Sequence, residues 1–222
     1  MTRRELAALL DHSVLKPEST EADVRAGAEV VRTLDVGYYC VQPAWVALAA
    51  ALLDATPAKV VAVIGFPHGC DEPVVKAEAA RLAVAHGARE LDMVLNVGTL
   101  KSGRVQAVAD DIAEVVRAAP GTPVKVILET AVLDDAEKRL ACRVACDAGA
   151  AFVKTSTGFH PAGGATVADV RLLRECVGAG IGVKASGGIR TLQDALAMID
   201  AGANRLGTSA TAQILAALAR AC

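Results

Sequence analysis

Lys154 and Lys184 each stand inside a short apolar run, Ala151-Phe152-Val153-Lys154-Thr155-Ser156-Thr157-Gly158-Phe159 and Gly180-Ile181-Gly182-Val183-Lys184-Ala185-Ser186-Gly187-Gly188-Ile189-Arg190. Runs of this kind read as buried parallel strands. Burying an ammonium costs several kcal/mol unless it finds partners or loses its proton, and two neighbouring ammoniums repel. Both effects lower a lysine pKa and make a neutral, nucleophilic amine available near pH 7. The chemistry this suits is Schiff-base formation. Asp92, in Glu90-Leu91-Asp92-Met93-Val94-Leu95-Asn96, sets a carboxylate between Leu and Met in another apolar run. Facing two lysines, it would hold one as a cation and relay protons through a water. Its plainer role, a structural salt-bridge partner, is compatible with the first. A lysine can also snorkel to a rim and cap carbonyls. That is expected for Lys125, at the start of its strand and at the non-catalytic end. It fits Lys154 and Lys184 less well, because apolar residues precede them and small polar ones follow.

The elements that must position these residues recur along the chain. Strand candidates are Leu10–Leu15, Val36–Val41, Val60–Gly65, Glu90–Leu95, Val124–Glu129, Phe152–Ser156, Gly182–Ser186 and Arg205–Gly207. Alanine-rich helical stretches follow them, Val167–Val177 and Leu192–Asp200 among them, and Arg3–Leu9 reads as an extra helix closing the bottom of a barrel. Three segments, around Gly87, Gly149 and Gly202, repeat a glycine after a helix and before a strand, where glycine supplies the left-handed C-cap. Eight strand–helix units in 222 residues predict an α/β fold, a single (β/α)8 TIM-barrel domain over 1–222 with a short N-terminal helix. The rival, an open doubly wound sheet, would show a GxGxxG turn after its first strand; none is present. Alternation along a strand then aligns Phe152, Lys154 and Ser156 on one face, and Gly182, Lys184 and Ser186 on another. The two lysines would converge inside the barrel.

Composition narrows the partners. The chain is 53% hydrophobic but only 3% aromatic, so Ala, Val, Leu and Ile must build the core. A formal charge of −2 gives no electrostatic case for nucleic acid or an anionic membrane. The apolar run Ala44–Leu53 is too short to span a bilayer, and Asp11 and His12 interrupt the N-terminus before a secretory core could form. Cys40, Cys70, Cys142, Cys146, Cys176 and Cys222 show no CxxC pair; they read as reduced thiols of a cytoplasmic protein. Cys142 and Cys146 are expected on the buried face of a helix, and Cys40 as a core residue. The histidines His12, His68, His86 and His160 show no metal-ligand spacing, so no metal and no cofactor are expected.

The loops after the last strands carry a second signal. Gly187-Gly188-Ile189-Arg190 follows strand seven and Gly207-Thr208-Ser209 follows strand eight. Loops there are the usual phosphate-binding place of this fold, because glycines let backbone N–H groups approach an anion and helix N-termini favour its charge. Gly158, after strand six, would add another amide.

These blocks, together with Asp11-His12-Ser13-Val14-Leu15-Lys16-Pro17 and Ile64-Gly65-Phe66-Pro67-His68-Gly69, resemble the deoxyribose-phosphate aldolase family over essentially the whole chain. The resemblance implies a metal-free class I aldolase that reversibly cleaves 2-deoxy-D-ribose 5-phosphate to acetaldehyde and D-glyceraldehyde 3-phosphate, in deoxynucleoside catabolism. It implies Lys154 as the Schiff-base lysine, Lys184 as the neighbouring ammonium and Asp92 as the proton-transfer group. Gly158, Gly187, Gly188 and Ser209 map onto phosphate-contacting loops, and Ser13 onto a position near the substrate. The partners implied are a phosphorylated sugar, aldehydes and further copies of the chain, as a dimer or larger. Two departures are visible. Some members carry two serines where this chain has Ser209-Ala210, which leaves Thr208 as a substitute. Some end in a tyrosine that assists proton transfer, whereas Arg220-Ala221-Cys222 would leave that work to Asp92 and water. Alternatives are a related Schiff-base enzyme such as a transaldolase, which usually carries one essential lysine, and a non-catalytic sugar-phosphate-binding barrel.

Overall fold

The computed structural model describes residues 1–221, and the side chains of 1–218. Cys222, grouped above with the reduced thiols, lies outside the described residues, as does the side chain of Arg220. Eight parallel strands, β1 Leu10–Val14, β2 Tyr38–Val41, β3 Lys59–Ile64, β4 Glu90–Val94, β5 Val124–Ile127, β6 Phe152–Lys154, β7 Gly182–Ser186 and β8 Arg205–Thr208, pair in sequence order. β8 pairs back to β1 and closes the barrel. The strands are rich in β-branched residues and buried on both faces, as parallel strands covered by helices must be.

The helices are α1 Arg3–Leu9, α2 Glu21–Thr33, α3 Val46–Leu53, α4 Pro73–Ala85, α5 Val97–Lys101, α6 Val105–Ala118, α7 Asp135–Asp147, α8 Val167–Val177, α9 Leu192–Asp200 and α10 Thr211–Ala221. Their starts are written in the sequence as capping boxes at Thr2/Glu5, Thr20/Asp23, Asp134/Glu137 and Thr191/Asp194. The glycine repeat marks their ends. Gly87, Gly149 and Gly202 take positive φ, and the residue after each donates back to the helix: Ala88 N to Ala83 O, Ala150 N to Ala145 O and Ala203 N to Met198 O. α1 sits at the N-terminal end of the barrel, where Gly37 N–H donates to Ala7 O. The short helix α5 was not expected; Asn96 caps it by accepting from Thr99 N–H.

The main apolar core lies between the sheet and the helices, and a second small cluster of Leu15, Cys40, Val61 and Val63 lies inside the barrel. The barrel interior is therefore divided. It is apolar where Leu15, Cys40, Val61 and Val63 meet and charged beside β4–β8 and Asp11 of β1, where Asp11, Glu90, Asp92, Lys125, Lys154, Lys184 and Arg205 are all buried.

Candidate active site

Register brings the two lysines together. β6 and β7 pair with Lys154 opposite Lys184, so both side chains leave the same face of the sheet and point into the barrel. Lys154 is 2% exposed and Lys184 1%. Asp92 reaches them from β4: its Oδ2 accepts from Lys154 Nζ at 2.7 Å and from Lys184 Nζ at 2.7 Å. Lys184 Nζ also donates to Asp11 Oδ2, from β1 on the far side of β8. Gly207 on β8 leaves the room this needs; a Cβ there would lie 3.2 Å from Lys184 Cε and 2.9 Å from Ser186 Cβ.

Asp92 is shared downward as well. Its Oδ1 accepts from Lys125 Nζ at 2.8 Å, and Lys125 also contacts Glu90 Oε2 at 2.7 Å. Glu90 in turn accepts from Arg205 Nη1 at 3.0 Å. The Arg205 guanidinium lies 3.3 Å from the Tyr38 ring centroid and 5.2 Å from that of Phe152, a stacked cation at the closed end. Lys125 therefore does not snorkel to a rim. It is fully buried, because register sets it beside Asp92 and two carboxylates make burial affordable.

This network joins four basic groups, Lys125, Lys154, Lys184 and Arg205, to three carboxylates, Asp11, Glu90 and Asp92. Loss of one proton balances it. Burial alone would raise the Asp92 carboxyl, but Lys125, Lys154 and Lys184 together hold it well below the usual carboxylate range. Burial pushes Lys184 down, yet Asp11 and Asp92 outweigh it and hold this amine above its ordinary value. For Lys184 the expectation of a depressed pKa is thus reversed: carboxylates, not repulsion between ammoniums, dominate its surroundings. Cys40, from β2, borders the same space; burial pushes its thiol up to about 12, so it stands as a neutral group. Asp11, Cys40 and Asp92 are the cluster of ligand-type side chains found among the described residues, and lysine ammoniums occupy their carboxylates.

Above the lysines opens a cavity of about 770 Å³. Ser13, Lys154, Gly158, Lys184, Gly187, Gly188 and Ser209 all line it, whereas Asp92 lies beneath them and fully buried. Gly158, Gly187 and Gly188 have φ of 81°, 86° and 83°, a region that costs glycine nothing. A Cβ on Gly187 would lie 3.2 Å from Gly158 Cα, so the two loops meet backbone to backbone. The N–H groups of Gly158, Gly187, Gly188 and Ser209 donate to no protein acceptor among the described residues, and so are free for an anion. Thr208 does not stand in for a missing serine. Its hydroxyl donates to Ile189 O at 2.7 Å and accepts from Ala210 N–H at 2.9 Å, bracing the two loops against each other.

Sequence reasoning missed Asp11, Glu90 and Arg205. Each stands at an inward position two residues from one already singled out, Ser13, Asp92 and Gly207, so period-2 reading could have found them.

Residues 6–215 match the family model described as DeoC/LacD family aldolase. The chain is 50% identical over 216 residues to deoxyribose-phosphate aldolase 1 of Bacillus licheniformis, covering 97% of this chain and 96% of that one. It is 54% identical over 217 residues to the deoxyribose-phosphate aldolase of Methanothermobacter thermautotrophicus, covering 96% and 95%. Among solved structures, the aldolase QR15 superposes with a TM-score of 0.93 at 39% identity, covering 97% of this chain and 96% of that one. The deoxyribose phosphate aldolase of Aeropyrum pernix, described as a unique tetramer, superposes at 0.92 and 33% identity over 100% and 94%. A family model that spans residues 6–215 and relatives at least 50% identical over nearly the whole chain make this closed barrel a member of the DeoC/LacD aldolase family.

Proposed function

We propose that the chain is a class I deoxyribose-phosphate aldolase, acting as one domain over residues 1–222, and that Lys154 is its Schiff-base lysine. The observation that carries this reading is the shared Asp92 oxygen, which accepts from both Lys154 and Lys184 at 2.7 Å. Lys184 has a second carboxylate, Asp11, and is held as a cation. Lys154 has none but Asp92. The Schiff-base role falls to the amine with fewer carboxylate partners, Lys154, which like Lys184 lines the cavity.

In the cleavage direction, the Lys154 amine adds to the C1 aldehyde of the open-chain sugar, and loss of water leaves a protonated imine. That imine is an electron sink. As a base takes the C3 hydroxyl proton, the C2–C3 bond breaks and its electrons enter the imine. Glyceraldehyde 3-phosphate leaves and an enamine remains on Lys154. Protonation at C2 and hydrolysis then release acetaldehyde and restore the amine. Asp92, with a water, moves the protons, and Lys184 keeps positive charge beside the developing nitrogen centre. The sugar phosphate is received by the amides of Gly158, Gly187, Gly188 and Ser209, with Ser13, on the neighbouring strand β1, lining the same cavity. No step uses a metal or cofactor.

The chain also presents an apolar outer face. α3 and the turn before it hold eleven consecutive apolar residues from Pro43 to Leu53, and on adjacent α4 Val74, Val75 and Leu82 are 65%, 54% and 41% exposed. An outer-ring helix without a polar face is atypical of a free surface. This face and the tetrameric relative support self-association. No helix of the described residues is long and apolar enough to cross a membrane.

The test of the reaction is trapping: protein, acetaldehyde and borohydride, followed by peptide mass mapping. An ethyl adduct on Lys154 alone supports the assignment. An adduct on Lys184 instead would exchange the two roles. No adduct on either lysine in folded protein would sink the aldolase reading and favour a binding barrel.

A further inference from the structure

Just after β5, Glu129 takes φ 57°, a left-handed conformation that non-glycine residues adopt uncommonly. It is also buried, 5% exposed. Its neighbours explain the turn. Leu128 N–H donates to Lys154 O at 2.9 Å and Thr130 N–H donates to Thr155 O at 2.9 Å. Those two carbonyls are consecutive, and in a regular strand they would point opposite ways. β6 leaves strand geometry after Lys154, and the turn at Glu129 re-aims β5 to follow it. The same turn delivers the Glu129 side chain to the β6 loop. Its Oε1 accepts from Thr157 N–H at 3.2 Å, and its Oε2 accepts from the Thr157 hydroxyl at 2.5 Å. That hydroxyl oxygen accepts in turn from Phe159 N–H at 3.1 Å. The residue clasped on both sides in this way is Gly158.

We infer that Glu129 is a positioning residue, acting through Thr157 to hold the Gly158 amide toward the substrate phosphate. The inference rests on the phosphate role given to that loop above. Strain at a left-handed glutamate is tolerable only where the side chain is needed, and here the carboxyl oxygens satisfy the Thr157 amide and hydroxyl within the β6 loop. Glu129 does not line the cavity, so it does not touch the substrate itself. Its effect falls on the phosphate end and spares the lysine chemistry.

The distinguishing variant is Glu129→Gly. Glycine accepts the left-handed backbone without strain, so the β5–β6 ladder and the fold survive while the clasp is lost. Thr157→Val removes the hydroxyl from the other side and Thr157→Ser retains it. Kinetics are read with 2-deoxyribose 5-phosphate and with unphosphorylated 2-deoxyribose. Glu129→Gly and Thr157→Val each raise KM for the phosphorylated sugar by about tenfold, with kcat within about twofold. For the unphosphorylated sugar kcat/KM is unchanged, Thr157→Ser restores the wild-type KM, and the double variant loses no more than either single one. Equal losses on both sugars, or additive losses in the double variant, overturn the inference. A wild-type enzyme with no preference for the phosphorylated sugar would instead overturn the phosphate reading of the loop.

Discussion

Asp92 has two sides, and they use the same side chains for different ends. Below it, Lys125 donates to Oδ1 at 2.8 Å and has Glu90 as a second anion at 2.7 Å. Above it, Lys154 donates to Oδ2 at 2.7 Å and has no other carboxylate. Both lysines are buried and both follow an apolar residue. What separates them is the number of carboxylates at hand and the space beside the amine. Lys125 is packed between anions with Phe152 nearby, its Nζ 5.8 Å from that ring's centroid, and does not line the cavity; Lys154 does. Lys76 repeats the lower pattern outside the barrel. There it is fully enclosed by Asp111 at 2.6 Å and the Val94 carbonyl at 3.1 Å. Burial makes a lysine expensive. On the function proposed above, a shortage of partners next to an open cavity is what singles out Lys154 for the chemistry.

The strongest way to break this comparison is to remove the amines in turn. Lys154→Leu should lower kcat by at least about 10⁴-fold, the scale for losing a covalent nucleophile. Lys184→Leu should cost about 10²–10³-fold, the scale for losing an electrostatic stabiliser, and should still permit borohydride trapping on Lys154. Lys125→Met should keep trapping and lose less than about tenfold in kcat. Steady-state rates of acetaldehyde release check all three. A Lys125→Met enzyme as dead as Lys154→Leu would mean that the lower side takes part in the chemistry.

Stability should rank the other way. Lys125→Met leaves Glu90 with Arg205 alone and takes a cation from Asp92, and breaking a buried pair from one side costs roughly 3–5 kcal/mol. Glu90→Gln should cost a similar amount by leaving Lys125 and Arg205 short of an anion. Removing both groups restores the charge count, so the double variant should be more stable than the sum of the singles by at least about 1 kcal/mol. Urea midpoints measure this. Strict additivity would show that Lys125 and Glu90 do not act as a pair.

The same contrast explains what could be read before the fold was known. Lys154, Lys184 and Asp92 stood out because a charge in an apolar run is locally anomalous. Lys125, Glu90, Asp11 and Arg205 sit at or near strand starts, where a charge reads as rim. Their partners are supplied by strands far away in sequence, Lys184 to Asp11 being 173 residues apart. Helix bounds such as Val167–Val177 and Leu192–Asp200 were legible to the residue, because Thr166 and Thr191 cap them. The ends of β5 and β6 were not: the expected Val124–Glu129 and Phe152–Ser156 stop at Ile127 and Lys154. A left-handed glutamate and a strand that drops its pleat leave no trace in hydrophobic periodicity.

β1 carries the contrast in miniature and yields the smallest effect. Asp11 points inward to Lys184. His12, next to it, points outward, stacked on Tyr39 with ring centroids 6.0 Å apart and hydrogen-bonded through Nδ1 to Thr211 Oγ1 at 2.9 Å. Burial pushes His12 from 6.5 down to about 4, with Asp11 opposing only in part. The unfolded chain therefore takes up the proton first, and stability is lost as pH falls from about 6.5 toward about 4. Between pH 7 and pH 5 this amounts to about 2 kcal/mol. Asp92, held low by its lysines, loses its contribution only below the ordinary carboxylate range, and Lys184, held high, only above the ordinary lysine range. Neither of these two groups changes stability across neutral pH, and the outward histidine sets the first acid response. His12→Asn retains a group that can hydrogen-bond Thr211 but does not titrate. Its urea midpoint should change less than that of the wild type between pH 7 and pH 5, while the rate contrast between Lys154 and Lys125 stays as it was. An unaltered acid slope would move the response into the charged interior and make the lower side of Asp92 the acid-labile one.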